Sequence, residues 1–97
     1  MKAVMITYNQ ALSQVMGDIL EKLVIRGYTQ WEEVKGRGTK KGEPHMGTHT
    51  WPAKNNVIMT IIEDEKVKPL LEKLRELDSQ TLEQGTRAFV WDIVDGM

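Results

Sequence analysis

Residues 3–24 read AVMITYNQALSQVMGDILEKLV and predict the first two elements of the fold. Residues 3–8 form a short, apolar and β-prone run, as expected of a central strand that is buried on both faces. From Gln10 onward, apolar residues recur at the spacing of an amphipathic helix. Asn9 is suited to cap the start of this helix, and Gly27 is suited to end it.

The rest of the chain predicts three further strands and a second helix. Residues 28–34 mix aromatic and β-branched residues with charges, which indicates a strand solvated on one face. Residues 57–62 form a buried strand, and residues 87–94 form the last one. Between them, a stripe of leucines follows Asp64, a candidate helix cap, while Pro69 favours a helix start later than Asp64.

This order, β-α-β-β-α-β, predicts an α+β protein with the ferredoxin-like arrangement, a four-stranded antiparallel sheet with both helices on one face. A chain of 97 residues has room for one hydrophobic core, so we expect a single domain spanning residues 1–97. The strands are too apolar to leave the uncovered sheet face in water. We therefore expect other subunits, most simply those of a homotrimer, to cover that face.

Composition excludes several functional classes. The formal net charge of −1 provides no general attraction to nucleic acid or to an anionic membrane. The absence of cysteine excludes disulfides, thiolate catalysis and cysteine-ligated zinc. No apolar run approaches the length of a membrane span and no signal-peptide pattern is present, so we expect a cytoplasmic protein. No catalytic constellation is evident either, and we expect no enzymatic activity.

The segment VKGRGTKKG, residues 34–42, is the first candidate binding site, and it opens a long loop at about residues 37–54. Its glycines allow positive φ angles and close approach of the backbone, and its four cations have no carboxylate between them. Phosphate is the natural ligand of such a segment. A flexible loop with solvated lysines is the alternative. The candidate ligand-binding residues are Gly36, Arg37, Gly38, Lys40 and Lys41.

A second segment, GTRAFVWDI at residues 85–93, makes the pattern more specific. Together with residues 29–42 it resembles the PII signal-transduction superfamily, in which a strand runs into the long T-loop and a B-loop enters the last strand. The resemblance covers nearly the whole chain. It implies a homotrimer with sites for an adenine nucleotide (ATP, ADP or AMP) or another small effector between subunits. It also implies a T-loop that contacts a regulated protein, such as a transporter or an enzyme.

The resemblance assigns roles to individual residues. Gly36, Gly38 and Lys41 match loop-base positions near the bound nucleotide. The phosphate-facing B-loop positions are matched by Gly85, Thr86 and Arg87. An arginine here keeps the charge of the family's usual lysine and adds a fork that can bind phosphate through two hydrogen bonds. The alternative role of Arg87 is that of a solubilising charge on an edge strand.

The chain also departs from the family pattern. Lys40 stands where signalling members carry the glutamine that helps to hold magnesium and 2-oxoglutarate. The loop is several residues shorter and contains no tyrosine for uridylylation. No arginine-bearing tail follows Asp92. The sequence therefore resembles a divergent PII-like protein rather than a nitrogen regulator of the usual kind.

His45 and His49 suggest a different function. The two imidazoles lie four residues apart, with Met46 beside the first, and could bind a divalent transition metal if Glu43 or neighbouring subunits added ligands. The predicted shape also resembles the trimeric CutA family of divalent-cation tolerance proteins, which would make the protein metal-responsive. Ordinary polar loop residues are the alternative. A structural trimeric adaptor is a third hypothesis.

Overall fold

The computed structural model describes residues 1–36, 54–81 and 84–97. Their elements follow the predicted order, so the ferredoxin-like β-α-β-β-α-β arrangement is confirmed. A short 3-10 turn, Gln10–Leu12, lies between the first strand and the first helix. The elements are β1 (Lys2–Asn9), α1 (Ser13–Lys22), β2 (Thr29–Val34), β3 (Asn55–Ile62), α2 (Asp64–Gln80) and β4 (Arg87–Asp92).

The four strands form one antiparallel sheet in the order β2-β3-β1-β4. Strands β1 and β3 are central, whereas β2 and β4 are the two edges. Both helices pack on the same face, as predicted, because alternate residues of β1 and β3 share one core with the apolar stripes of the helices. The buried core consists of Val4, Ile6, Tyr8, Met16, Leu20, Ile25, Ile58, Ile62, Leu70, Leu74 and Leu77.

The opposite sheet face, called the outer face below, carries the other alternate residues. Strand register places Met5 between Met59 and Phe89 on this face. In the single chain Phe89 is 59% exposed, and Ile61, Trp31 and Trp91 are about half exposed. The two tryptophans therefore lie outside the core of one chain. The predicted covering of this face by other subunits stays a prediction.

The prediction that the first helix ends at Gly27 is wrong, because the helix ends at Lys22. Val24 adopts the left-handed conformation with φ of 57° and terminates it in the Schellman arrangement. The two hydrogen bonds of this arrangement run from Val24 N to Glu21 O at 3.0 Å and from Ile25 N to Leu20 O at 2.8 Å. At the other end, Asn9 caps the 3-10 turn by accepting a hydrogen bond from Ala11 N.

The second helix begins at Asp64, so the later start that Pro69 favoured is wrong. Pro69 lies in the helix interior, where it leaves the carbonyl of Glu65 without its helical donor. The helix nevertheless continues past Pro69, because Leu70, Leu74 and Leu77 are buried in the core on its inner face. Glu63, rather than Asp64, occupies the cap position. None of the described helices is long and apolar enough to cross a membrane.

Strand β2 differs from its prediction in exposure. It was expected to be solvated on one face, but residues 29–33 are exposed on both. The reason is its position at the edge that the helices leave uncovered, since the core cluster and the residues packed against it include none from β2. A bulge between Trp31 and Val34, with Glu33 at φ 57°, bends this strand just before Gly36.

Candidate anion-binding site

Gly85, Thr86 and Arg87 form a compact polar corner where the chain enters β4. Gly85 has φ of 70°, a left-handed conformation that any other residue would adopt only with strain. The Thr86 side chain is buried, and its Oγ1 has no hydrogen-bond partner within the described part of the chain. A buried hydroxyl without a partner destabilises the fold by about 1–3 kcal/mol, a cost that a ligand accepting its hydrogen bond would remove.

The guanidinium of Arg87 is held close to this corner. Its Nη1 donates a hydrogen bond to the carbonyl oxygen of Thr86 at 2.7 Å and lies 3.5 Å from Oδ2 of Asp78 on α2. Both side chains of this ion pair are more than one third exposed. Such half-exposed pairs contribute little, typically about 0–1 kcal/mol. An anionic ligand could therefore replace the carboxylate.

A cleft of about 230 Å³ lies beside this corner, between α2 and β4. Its floor is apolar, formed by Leu71, Leu74 and Ala88. Its polar lining consists of Arg75, Asp78, Thr86 and Arg87. The two guanidinium groups carry more positive charge than the single carboxylate carries negative charge, and the hydroxyl adds a hydrogen-bond donor. The cleft therefore favours an anion.

Gly36 lies at the same end of the sheet, just after β2. A Cβ atom placed on it would lie 2.6 Å from Nδ2 of Asn55, so any other residue here would require the Asn55 amide to shift. The other boundary of the 37–53 segment is anchored at Lys54. Its carbonyl oxygen accepts a hydrogen bond from Gln10 N at 2.9 Å, and its Nζ lies 3.6 Å from Oε2 of Glu33.

Gly36 and Arg87 are not in contact within one chain. They lie at opposite edges of the sheet, separated by three strand spacings, or about 14 Å. The resemblance implies that Lys41 of one subunit and Arg87 of the next meet at a subunit boundary, and this stays a prediction. Several candidates lie outside the described residues, namely Arg37, Gly38, Lys40, Lys41, His45 and His49. In the described ranges, no three histidine, cysteine or acidic side chains group as metal ligands.

Sequence reasoning missed a group of buried amides at this end of the sheet. Asn9 donates a hydrogen bond from Nδ2 to Oε1 of Gln84. Asn56 accepts one from Glu33 N at 3.0 Å, which holds the bulge of β2, and donates another to Oγ of Ser13 at 3.0 Å. Asparagine is rare in strands, so the Asn55-Asn56 pair that opens β3 was a signal that could have revealed this group.

The phenol of Tyr8 adjoins this group on the helix side of the sheet. Its burial raises the pKa of Tyr8 above 10.0, while hydrogen bonding with Asn56 and Ser13 offsets part of the rise. The neutral phenol is therefore the stable form at the end of β1, and it adds no charge to the neighbouring candidate site.

The chain resembles known structures of PII-like proteins. The CPII protein of Thiomonas intermedia K12, a nitrogen regulatory PII-like protein bound to ADP, AMP and bicarbonate, has a TM-score of 0.78 and 23% sequence identity. That match covers 95% of this chain and 84% of CPII. The same protein bound to ADP and bicarbonate matches with a TM-score of 0.76, 24% identity and the same coverage of both chains. No curated protein sequence matches.

A PII-like signalling protein from Thermus thermophilus matches at 21% identity and a TM-score of 0.67, over 95% of this chain and 85% of that one. At these identities the structural likeness establishes the fold. Family membership rests on the sequence itself, since residues 1–96 match the family described as Nitrogen regulatory protein P-II. The chain therefore belongs to the PII family, whose members are non-enzymatic signal transducers.

Proposed function

We propose that the protein is a cytoplasmic PII-like sensor that binds an adenine nucleotide between the subunits of a homotrimer. In this proposal the segment around residues 37–54 is the T-loop, which acts on a partner protein. The observation that carries the proposal is the corner at Gly85, Thr86 and Arg87. It combines a left-handed glycine, a buried hydroxyl without a described partner and a reachable guanidinium.

The chemistry of this corner suits phosphate. Phosphate oxygens only accept hydrogen bonds at neutral pH, and the corner offers a hydroxyl donor beside a guanidinium. The CPII protein supports the same ligand class, since its structure contains ADP and AMP together with bicarbonate. We therefore include bicarbonate as a second effector, which would bind to the same kind of donors.

A ring of copies would bring the two candidate segments together. Gly36 lies at the β2 edge and Arg87 at the β4 edge of the sheet. Within one chain the two residues are about 14 Å apart. If the β2 edge of one subunit lies beside the β4 edge of the next, Gly36 of the first and Arg87 of the second would line one shared cleft. The exposed apolar residues of the outer face support such an assembly, because water is an unfavourable environment for them.

Calorimetry with ADP and ATP, each with and without bicarbonate, tests the proposal. We expect Arg87→Ala and Lys41→Ala each to weaken nucleotide binding by about tenfold to a hundredfold, because each removes a charge-assisted hydrogen bond. Arg26→Ala is the matched control, since Arg26 lies beside Ile61 and Glu63 at the other end of the sheet. A wild type that binds no nucleotide at millimolar concentration would support a structural adaptor instead.

A further inference from the structure

Four residues cross the sheet in one row at the end that carries the candidate site. Gly36 follows β2, Asn55 begins β3, Asn9 ends β1, and Gln84 precedes β4. Their order in the row is the order of the strands in the sheet. We call these four residues the polar row. It runs from the base of the 37–53 segment to the corner at Gly85.

The first link of the polar row joins Gln84 to Asn9. The Nδ2 of Asn9 donates a hydrogen bond to Oε1 of Gln84, although 75 residues separate them in sequence. The Oδ1 of Asn9 accepts a hydrogen bond from Ala11 N at 2.9 Å. Asn9 is only 7% exposed, so water cannot readily replace either partner. The amide is therefore held in one orientation.

The second link joins Asn9 to the base of the 37–53 segment through Asn55. Asn9 and Asn55 are direct register partners on adjacent antiparallel strands, and both are more than nine-tenths buried. Side chains in such a pair lie on one face with Cβ atoms about 5 Å apart. The Nδ2 of Asn55 in turn lies against Gly36, 2.6 Å from the position at which any other residue would carry its Cβ.

We propose that Asn9 and Asn55 are positioning residues that couple the 84–87 segment to the base of the 37–53 segment. Buried amides need partners, so movement of Gln84 leaves Nδ2 of Asn9 unpaired, and the row must rearrange as a unit. The role of this coupling in ligand response rests on the proposed function. The coupling itself is a property of the unliganded chain.

Hydrogen exchange on the unliganded protein tests the coupling. In Gln84→Ala we expect the amides of residues 35–36 and 54–56 to exchange about threefold to tenfold faster, because the row loses its anchor. Gln84→Glu keeps an acceptor for Asn9 and should restore slow exchange. Thr60→Val is the matched control, since it removes one buried hydrogen bond, from Oγ1 to the carbonyl of Gly27, at the other end of β3. Faster exchange confined to residues 84–90 in Gln84→Ala would overturn the proposal.

A second measurement adds ADP as the probe. In the wild type, ADP should slow exchange at residues 84–90 and also at residues 54–56, which are not part of the proposed nucleotide site, whereas in Gln84→Ala it should slow only the first group. Slowing of both groups in Gln84→Ala would contradict the coupling. If ADP slows exchange nowhere in the wild type, the proposed function fails, and the result on the unliganded protein alone decides the coupling.

Discussion

The guanidinium of Arg87 lies 3.5 Å from the carboxylate of Asp78, so the cation proposed to bind phosphate is already paired with an anion from α2. This pair has two opposite consequences for a ligand. The pair holds Arg87 beside Thr86, but the negative charge of the Asp78 carboxylate repels any phosphate that approaches the same cleft. Because the pair is partly exposed, its contribution to stability is small and the repulsion should dominate.

We therefore expect Asp78→Asn to strengthen ADP binding by about twofold to fivefold, which corresponds to about 1 kcal/mol or less. The gain should shrink at high salt, which screens exposed charges. Titration calorimetry at two salt concentrations measures both effects. Glu76→Gln is the control, because its carboxylate lies on the same helix but 3.8 Å from Lys73 instead. Weaker binding in Asp78→Asn would show that Asp78 positions Arg87 rather than competes with the ligand.

The outer face leads to a prediction about assembly. Phe89 lies on the edge strand β4, opposite Met5 on that face, and is 59% exposed in the single chain. A charge placed there should cost the monomer little but should oppose burial against another subunit. We expect the wild type to have a mass three times that of the 11.1 kDa chain by light scattering, and Phe89→Glu to be a monomer. Val94→Glu, at a 96% exposed position, should stay trimeric.

The order of elements could be predicted because hydrophobic periodicity records which face of each element is buried. The end of α1 could not. Glycine is the usual residue at a left-handed helix terminus, so the sequence favours Gly27, but Val24 adopts that conformation instead. Its cost of about 1–2 kcal/mol is outweighed by the two hydrogen bonds that close the helix. Hydrogen bonds that close a helix end do not produce a periodic pattern of apolar residues, so the sequence pattern does not reveal them.

The candidate site was predictable only in part. Gly36 was predicted from the conformational freedom of its backbone and Gly85 from the resemblance to the family, and the structure shows a close approach at the first and a left-handed angle at the second. The partners of these segments were not predictable. Asn9 and Gln84 form a hydrogen bond across 75 residues, and Asp78 lies on a helix that the sequence marked only by its leucine stripe. Pairings of this kind depend on strand order, which the sequence does not specify locally.

Gly36→Ala should destabilise the protein by about 1–3 kcal/mol, because the new Cβ would overlap the buried amide of Asn55. Urea denaturation of the wild type and the variant measures this. Gly17→Ala is an informative control, since nothing lies within 4 Å of its Cβ position in the helix α1. It should stabilise by about 0.5–1 kcal/mol through helix propensity. Equal stability of Gly36→Ala and the wild type would mean that Asn55 moves freely.

Val24→Gly should raise the melting temperature. The valine is 55% exposed and has φ of 57°, so glycine removes strain and loses little packing. A gain of about 1 kcal/mol corresponds to about 4–8 °C for a domain of this size. Val24→Ala keeps the Cβ and should gain less. A lower melting temperature for Val24→Gly than for Val24→Ala in calorimetric scans would show that the valine side chain makes a contact worth more than the strain.

Tyr8 should make stability depend on alkaline pH. Burial raises the pKa of Tyr8 in the folded state above 10.0, so the unfolded chain loses this proton first. The resulting stabilisation is complete below pH 10 and is lost as the pH rises through the folded-state pKa.

Tyr8→Phe loses hydrogen bonds worth about 1 kcal/mol at neutral pH but has no phenol to ionise. From about pH 8 to about pH 11, its urea midpoint should therefore fall less than that of the wild type. Tyr28→Phe, which alters a tyrosine that is 48% exposed, should follow the wild type. The same decline in all three proteins would mean that other groups cause the alkaline loss of stability.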